Sequence, residues 1–187
     1  MLRHRRFYLV LSVPVVLMIG ALVLFRSQPD EITISFVGDI MLSRGVQSYL
    51  EEFGYDYPYE DVRDLFLQDD LTVGNLECPI TDYENAANKA KRFLFKADAE
   101  NASALKRAGF DCLNLANNHT MDYTSPGLLD TMTHLEANGL DYVGASENAA
   151  SKKPYIFEKN GIRVGLLAYS ALPPEGYFFN ADKPTVQ

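Results

Sequence analysis

Cysteine is nearly missing from this chain: Cys78 and Cys112 are the only two in 187 residues. Neither lies near residue 20, which argues against a lipoprotein anchor. The pair can form one disulfide if their strands are adjacent, or serve as two small buried hydrophobes. Histidine is almost as scarce, with three in all. His4 belongs to a basic N-terminus and His134 to a helical pattern beside Leu135, which leaves His119 for a site. Positive charge is short as well. Beyond Arg26, 13 Lys and Arg stand against all 25 Asp and Glu, a net −12. That balance excludes nucleic acid and any polyanion held by a broad basic surface. It suits cation binding, and equally a solvated acidic surface. Low-complexity segments and internal repeats are absent too.

What is present begins with Arg3, Arg5 and Arg6, followed by an uncharged, mostly apolar run from Phe7 to Phe25 that Arg26 closes. As a helix it would just cross a hydrocarbon core of roughly 30 Å. The positive flank keeps residues 1–6 in the cytoplasm and sends the rest outside, so the protein is expected in the cell membrane as a single-pass chain. A cleavable signal peptide is the alternative. The long apolar region and the lack of an A-x-A site favour an uncleaved anchor over 7–25. Residues 26–31 read as a polar linker, and 32–187 as one domain.

Three runs in that domain read as β-strands ending in metal-capable side chains: one closing on Asp39, one on Asn75 and Glu77, one on Asn117, Asn118 and His119. In open α/β sheets ligands bind in the crevice beyond the carboxyl ends of the strands. Helices are expected within 41–50 and 59–67, from an Asp98 cap to Arg107 with Gly109 at C′, and from a Ser125 cap with Pro126 at N1 to Asn138-Gly139. Asp141 to Val143 completes a β-α-β unit, which favours a parallel sheet. Lys159-Asn160-Gly161 marks a hairpin between Tyr155–Glu158 and Ile162–Tyr169. The expectation is an α/β domain with a mixed, mostly parallel sheet and flanking helices.

Carboxylate, amide oxygen and imidazole together suit Mn, Fe or Zn better than Ca or Mg. Asp39 can supply a first ligand and bridge two ions; Glu77 and Asn75 would share a face if the strand persisted. Asn118 and His119 can reach the same crevice. Paired metals would make the site hydrolytic. Each fragment alone has a plainer reading, since Gly-Asp and Asn-Asn sequences commonly form turns in which side chains satisfy the backbone.

Phe36-Val37-Gly38-Asp39-Ile40-Met41-Leu42, Gly74-Asn75-Leu76-Glu77, and Leu115-Ala116-Asn117-Asn118-His119-Thr120-Met121-Asp122, followed by the Gly127–Leu135 helix and Gly144, are similar to the capsule-synthesis CapA family, also called the poly-γ-glutamate biosynthesis family. The resemblance runs from about residue 32 to the end. It implies a relation to calcineurin-like metallophosphoesterases, an α/β sandwich and a dinuclear metal centre. By that likeness Asp39, Glu77, Asn118 and His119 are metal ligands, His119 and Asn118 act in catalysis, and Arg44, Asn75 and Asp122 support the site or touch substrate. His-Trp-Gly and Gly-His-x-x-His motifs expected of such a fold are missing, so 32–187 reads as the N-terminal part of the domain, incomplete at its C-terminal end. Two functions follow from the resemblance. One is a membrane-anchored accessory protein working beside capsule synthase subunits on an anionic polymer, with Lys89, Lys91 and Arg92 as a local basic contact. The other is a metal-dependent hydrolase of phosphoester or γ-glutamyl amide bonds.

Overall fold

The computed structural model describes residues 31–87, 91–172, 174 and 179–187. The basic tail and the expected anchor over 7–25 lie outside them. Among the described residues no helix is long and apolar enough to cross a membrane.

Four strands form a parallel sheet in the order of the chain: β1 (Ile34–Ile40), β2 (Leu71–Leu76), β3 (Cys112–Asn114) and β4 (Asp141–Val143). Helices fill the connections, as parallel neighbours require. They are α1 (Gly45–Phe53) and the single-turn α2 (Arg63–Phe66), then α3 (Glu100–Ala108), then α4 (Thr124–Ala137). Alternation along the strands splits the core in two. Leu50 of α1, Leu105 of α3, and Leu128, Met132 and Leu135 of α4 pack with Ile40, Leu76 and Leu113. The opposite cluster is smaller and consists of Leu71, Val73, Cys112 and Val143.

Over that second cluster lies the hairpin β6 (Tyr155–Lys159) and β7 (Ile162–Leu166), whose Tyr155, Phe157 and Leu166 pack on it. Its turn residues Asn160 and Gly161 have φ of 53° and 75°, the left-handed pair that an Asn-Gly hairpin turn needs. The hairpin is a separate two-stranded sheet, so the expected mixed sheet is corrected to an all-parallel one with an antiparallel pair laid against it. The reason is local. Gly144, at φ 93°, ends β4, and the chain turns away to pair β5 (Ala145–Ser146) antiparallel with β8 (Thr185–Val186).

Two expected caps also move. The Asp98 side chain does not cap α3, because its Oδ2 accepts from the Tyr55 hydroxyl at 2.9 Å and that tertiary bond takes the carboxylate. Gly109 does close α3 in the left-handed conformation, at φ 102°. Helix α4 begins at Thr124 rather than after Ser125. Cys78 and Cys112 are both buried free thiols, each pushed up to about 12 with burial as the main cause, so no disulfide joins them.

Candidate functional site at the strand ends

The register of the sheet builds the site. Asp39 of β1 stands opposite Asn75 of β2, and Asn75 opposite Asn114 of β3. This alignment depends on an irregularity: Phe36 pairs with Val73, yet Asp39 pairs with Asn75, so Val37 and Gly38 together face Gly74. An extra residue of this kind re-aims every side chain after it. Gly74 makes room for the bulge. A Cβ there would run into the Ile40 side chain and come within 3.0 Å of Val37 and 3.1 Å of Phe110.

Across the three strands runs a directed chain of amides. The backbone N–H of Ala116 donates to Asn114 Oδ1 (2.8 Å), Asn114 Nδ2 to Asn75 Oδ1 (2.8 Å), and Asn75 Nδ2 to Asp39 Oδ1 (2.7 Å). Every link points its donor toward the carboxylate, so the dipoles add and fix the Asp39 rotamer. Asn117, expected as a turn former, also feeds this chain. Its Nδ2 donates to Asn75 Oδ1 and to the Leu76 carbonyl, while its Oδ1 accepts from the backbone N–H groups of His119 and Thr120 at 3.0 Å each.

That Asx turn delivers His119, which is 7% exposed. Its Nδ1 lies 2.9 Å from Asp122 Oδ2, and Phe95 stacks on the ring with centroids 4.1 Å apart. Asp122 is held in turn by Lys91 Nζ at 2.7 Å and by the Phe95 N–H at 2.9 Å. An ionised Asp122 keeps the proton on Nδ1 and leaves the Nε2 lone pair for a ligand, the usual way a carboxylate sets a histidine tautomer. Lys91 and Asp122 side chains are 7% and 1% exposed, so this is a buried pair. Sequence reasoning placed Lys91 in a surface basic cluster, which is corrected: its partner lies 31 residues away and no local pattern announces it. Lys89 lies outside the described residues.

Glu77 follows β2 directly and is half-buried. Its carboxyl is raised above the ordinary value, first by desolvation, then by the neighbouring Asp39 charge, with His119 pulling the other way. Asp39, Glu77 and His119 therefore share one electrostatic environment. Asn118 is half-buried, and its carbonyl accepts from Lys91 Nζ at 3.3 Å. Arg44 follows the loop after β1, exposed, with φ 58°. Among the described residues no group of three or more His, Cys, Asp or Glu gathers closely enough to hold a metal ion. The donor types suit a transition metal, whereas a complete cage is not formed by these residues.

Comparison with known proteins fits this arrangement. The sequence profile of the bacterial capsule synthesis protein PGA_cap matches residues 33–185. The chain belongs to that family. It is similar to the capsule biosynthesis protein CapA of Bacillus anthracis, 35% identical over 158 residues that make up 83% of this chain and 38% of that protein. The PGA biosynthesis protein CapA of Bacillus subtilis is 33% identical over 84% of this chain and 42% of its own length. A probable polyglutamine synthesis accessory protein of Mycobacterium tuberculosis is 26% identical over 84% of this chain and 51% of its own. The chain thus spans less than half the length of the two Bacillus relatives.

Proposed function

We propose that the chain works in the biosynthesis or export of poly-γ-glutamate or a related cell-envelope polymer, as an extracytoplasmic domain held at the cell membrane by residues 7–25. The family match over 33–185 carries this reading, supported by Bacillus relatives named for capsule and PGA biosynthesis. The basic flank before residue 7 supports the orientation. Partners in this reading are capsule synthase subunits and the anionic polymer itself. Replacing residues 1–26 with a cleavable signal sequence should leave the domain exported but lower polymer yield at least tenfold. Undiminished yield from the released domain would remove the anchor from the account.

The second reading is a metal-dependent hydrolase of phosphoester or γ-glutamyl amide bonds within a metallophosphatase-like sandwich. The coupling of Glu77 to Asp39, facing His119 with its Nδ1 already held, favours it. Mn, Fe or Zn, one ion or two, would be held in part by Asp39, Glu77, Asn118 and His119, with ligands beyond these residues completing the cage. Bound there, such an ion would supply polarisation of a phosphoryl or carbonyl oxygen and a more acidic water. Asp122 and Lys91 would fix the His119 tautomer, Asn75 would orient Asp39, and Asn118 and His119 would face the substrate. Elemental analysis of the full-length protein distinguishes the readings. A hydrolase retains a transition metal that Asp39→Ala and His119→Ala lose along with turnover; metal-free protein indifferent to chelators rules this reading out.

A further inference from the structure

Phe93 is 40% exposed, and two guanidinium groups converge on it: Arg44 Cζ lies 5.2 Å from the ring centroid and Arg92 Cζ 5.0 Å. The two cations are therefore no more than about 10 Å apart. At this spacing two exposed cations repel only weakly in water, and an anion placed between them would be attracted by both. Neither arginine is in an ion pair among the described residues, where Lys91, Lys96, Lys106, Arg107 and Lys159 all have carboxylate partners. Arg63, Lys152, Lys153, Arg163 and Lys183 also lack an ion pair among the described residues; what sets Arg44 and Arg92 apart is that both converge on one ring.

Their position ties them to the strand ends. Arg44 follows Ser43, whose buried Oγ accepts from the Lys96 N–H at 3.3 Å and so joins the loop after β1 to the segment carrying Arg92, Phe93 and Phe95. Phe95, two residues beyond Phe93, is the ring stacked on His119. The two arginines therefore sit on joined segments, one of which carries the ring stacked on His119. Stacking on a shared ring leaves the guanidinium edges free to donate, and those edges match a carboxylate in a bidentate fashion.

We infer that Arg44, Phe93 and Arg92 form a clamp for a chain bearing successive carboxylates, binding one with each guanidinium and laying aliphatic backbone over the Phe93 ring. The inference rests on the polymer reading above and adds where the polymer touches the protein. It also resolves how an acidic domain handles a polyanion: a two-arginine contact replaces a broad basic surface.

Titration of the full-length protein with a short γ-linked glutamate oligomer, followed by calorimetry at two salt concentrations, tests it. Arg44→Gln and Arg92→Gln should each weaken binding about tenfold and flatten its salt dependence, with Phe93→Ala weakening it less. Arg44→Lys should recover only part of the loss, since the ammonium lacks the fork. Arg163→Gln, an exposed cation on β7, serves as the control and should bind as wild type. Oligomer binding that ignores Arg44→Gln and Arg92→Gln overturns the clamp while leaving the polymer reading intact. Arginine-dependent binding of inorganic phosphate but not of the oligomer overturns the carboxylate assignment. The polymer reading fails separately, if host cells lacking the gene still make polymer.

Discussion

His119 has its Nδ1 committed to Asp122, and the cost of that arrangement is a buried ion pair. Asp122 accepts from Lys91, from the Phe95 N–H and from the imidazole, and its side chain is 1% exposed. Removing one member of such a network strands the other charge away from water. Asp122→Ala should therefore destabilise the domain by ~3–5 kcal/mol in urea titration, far beyond the effect of a surface acid. Glu77 carries the opposite burden. Its folded pKa lies above the ordinary 4.5, so the folded state binds a proton more tightly than the unfolded one. The stabilisation this gives is full below pH 4.5 and is lost as pH rises through the folded pKa. In chelator-treated protein, Glu77→Gln should accordingly raise the melting temperature at neutral pH, with the gain vanishing toward pH ~4. A gain independent of pH would contradict the raised Glu77 carboxyl. The candidate ligands are legible in sequence because each lies at or within a few residues beyond the end of a strand, whereas Lys91 is not, since its role depends on a tertiary partner.

At the level of elements, strand ends and turns with strong chemistry were readable and their meeting points were not. Asn160-Gly161 and Gly109 adopt the positive φ their types favour, and the β-α-β order produces the parallel sheet. Asp98 reads as a cap and is instead bonded to Tyr55, which no local pattern encodes. The bulge opposite Gly74 is the clearest example. Val37-Gly38 looks like ordinary strand, yet the extra residue is what aligns Asp39 with Asn75. Gly74→Ala should overpack this contact with Ile40, Val37 and Phe110, costing ~1–3 kcal/mol and disturbing Asp39. Gly38→Ala, with nothing within 4 Å of the new Cβ, should stay within about 0.5 kcal/mol of wild type. Equal costs at the two positions would contradict the bulge as the aligning device.

Over the whole domain, the sheet gathers Asp39 from β1, Asn75 and Glu77 from β2, and Asn117 to Asp122 after β3 at one end, where the amide chain and the buried Lys91–Asp122 pair hold them. The family match covers all of these blocks, and the hydrogen bonds hold them together. The central proposal is that a cluster this costly to assemble serves function rather than folding. Polymer output from host cells carrying Asp39→Asn or His119→Ala, with the variant shown to be folded and present at wild-type level, tests it most directly. The account predicts at least a tenfold fall in polymer for both variants; wild-type output from either would contradict it.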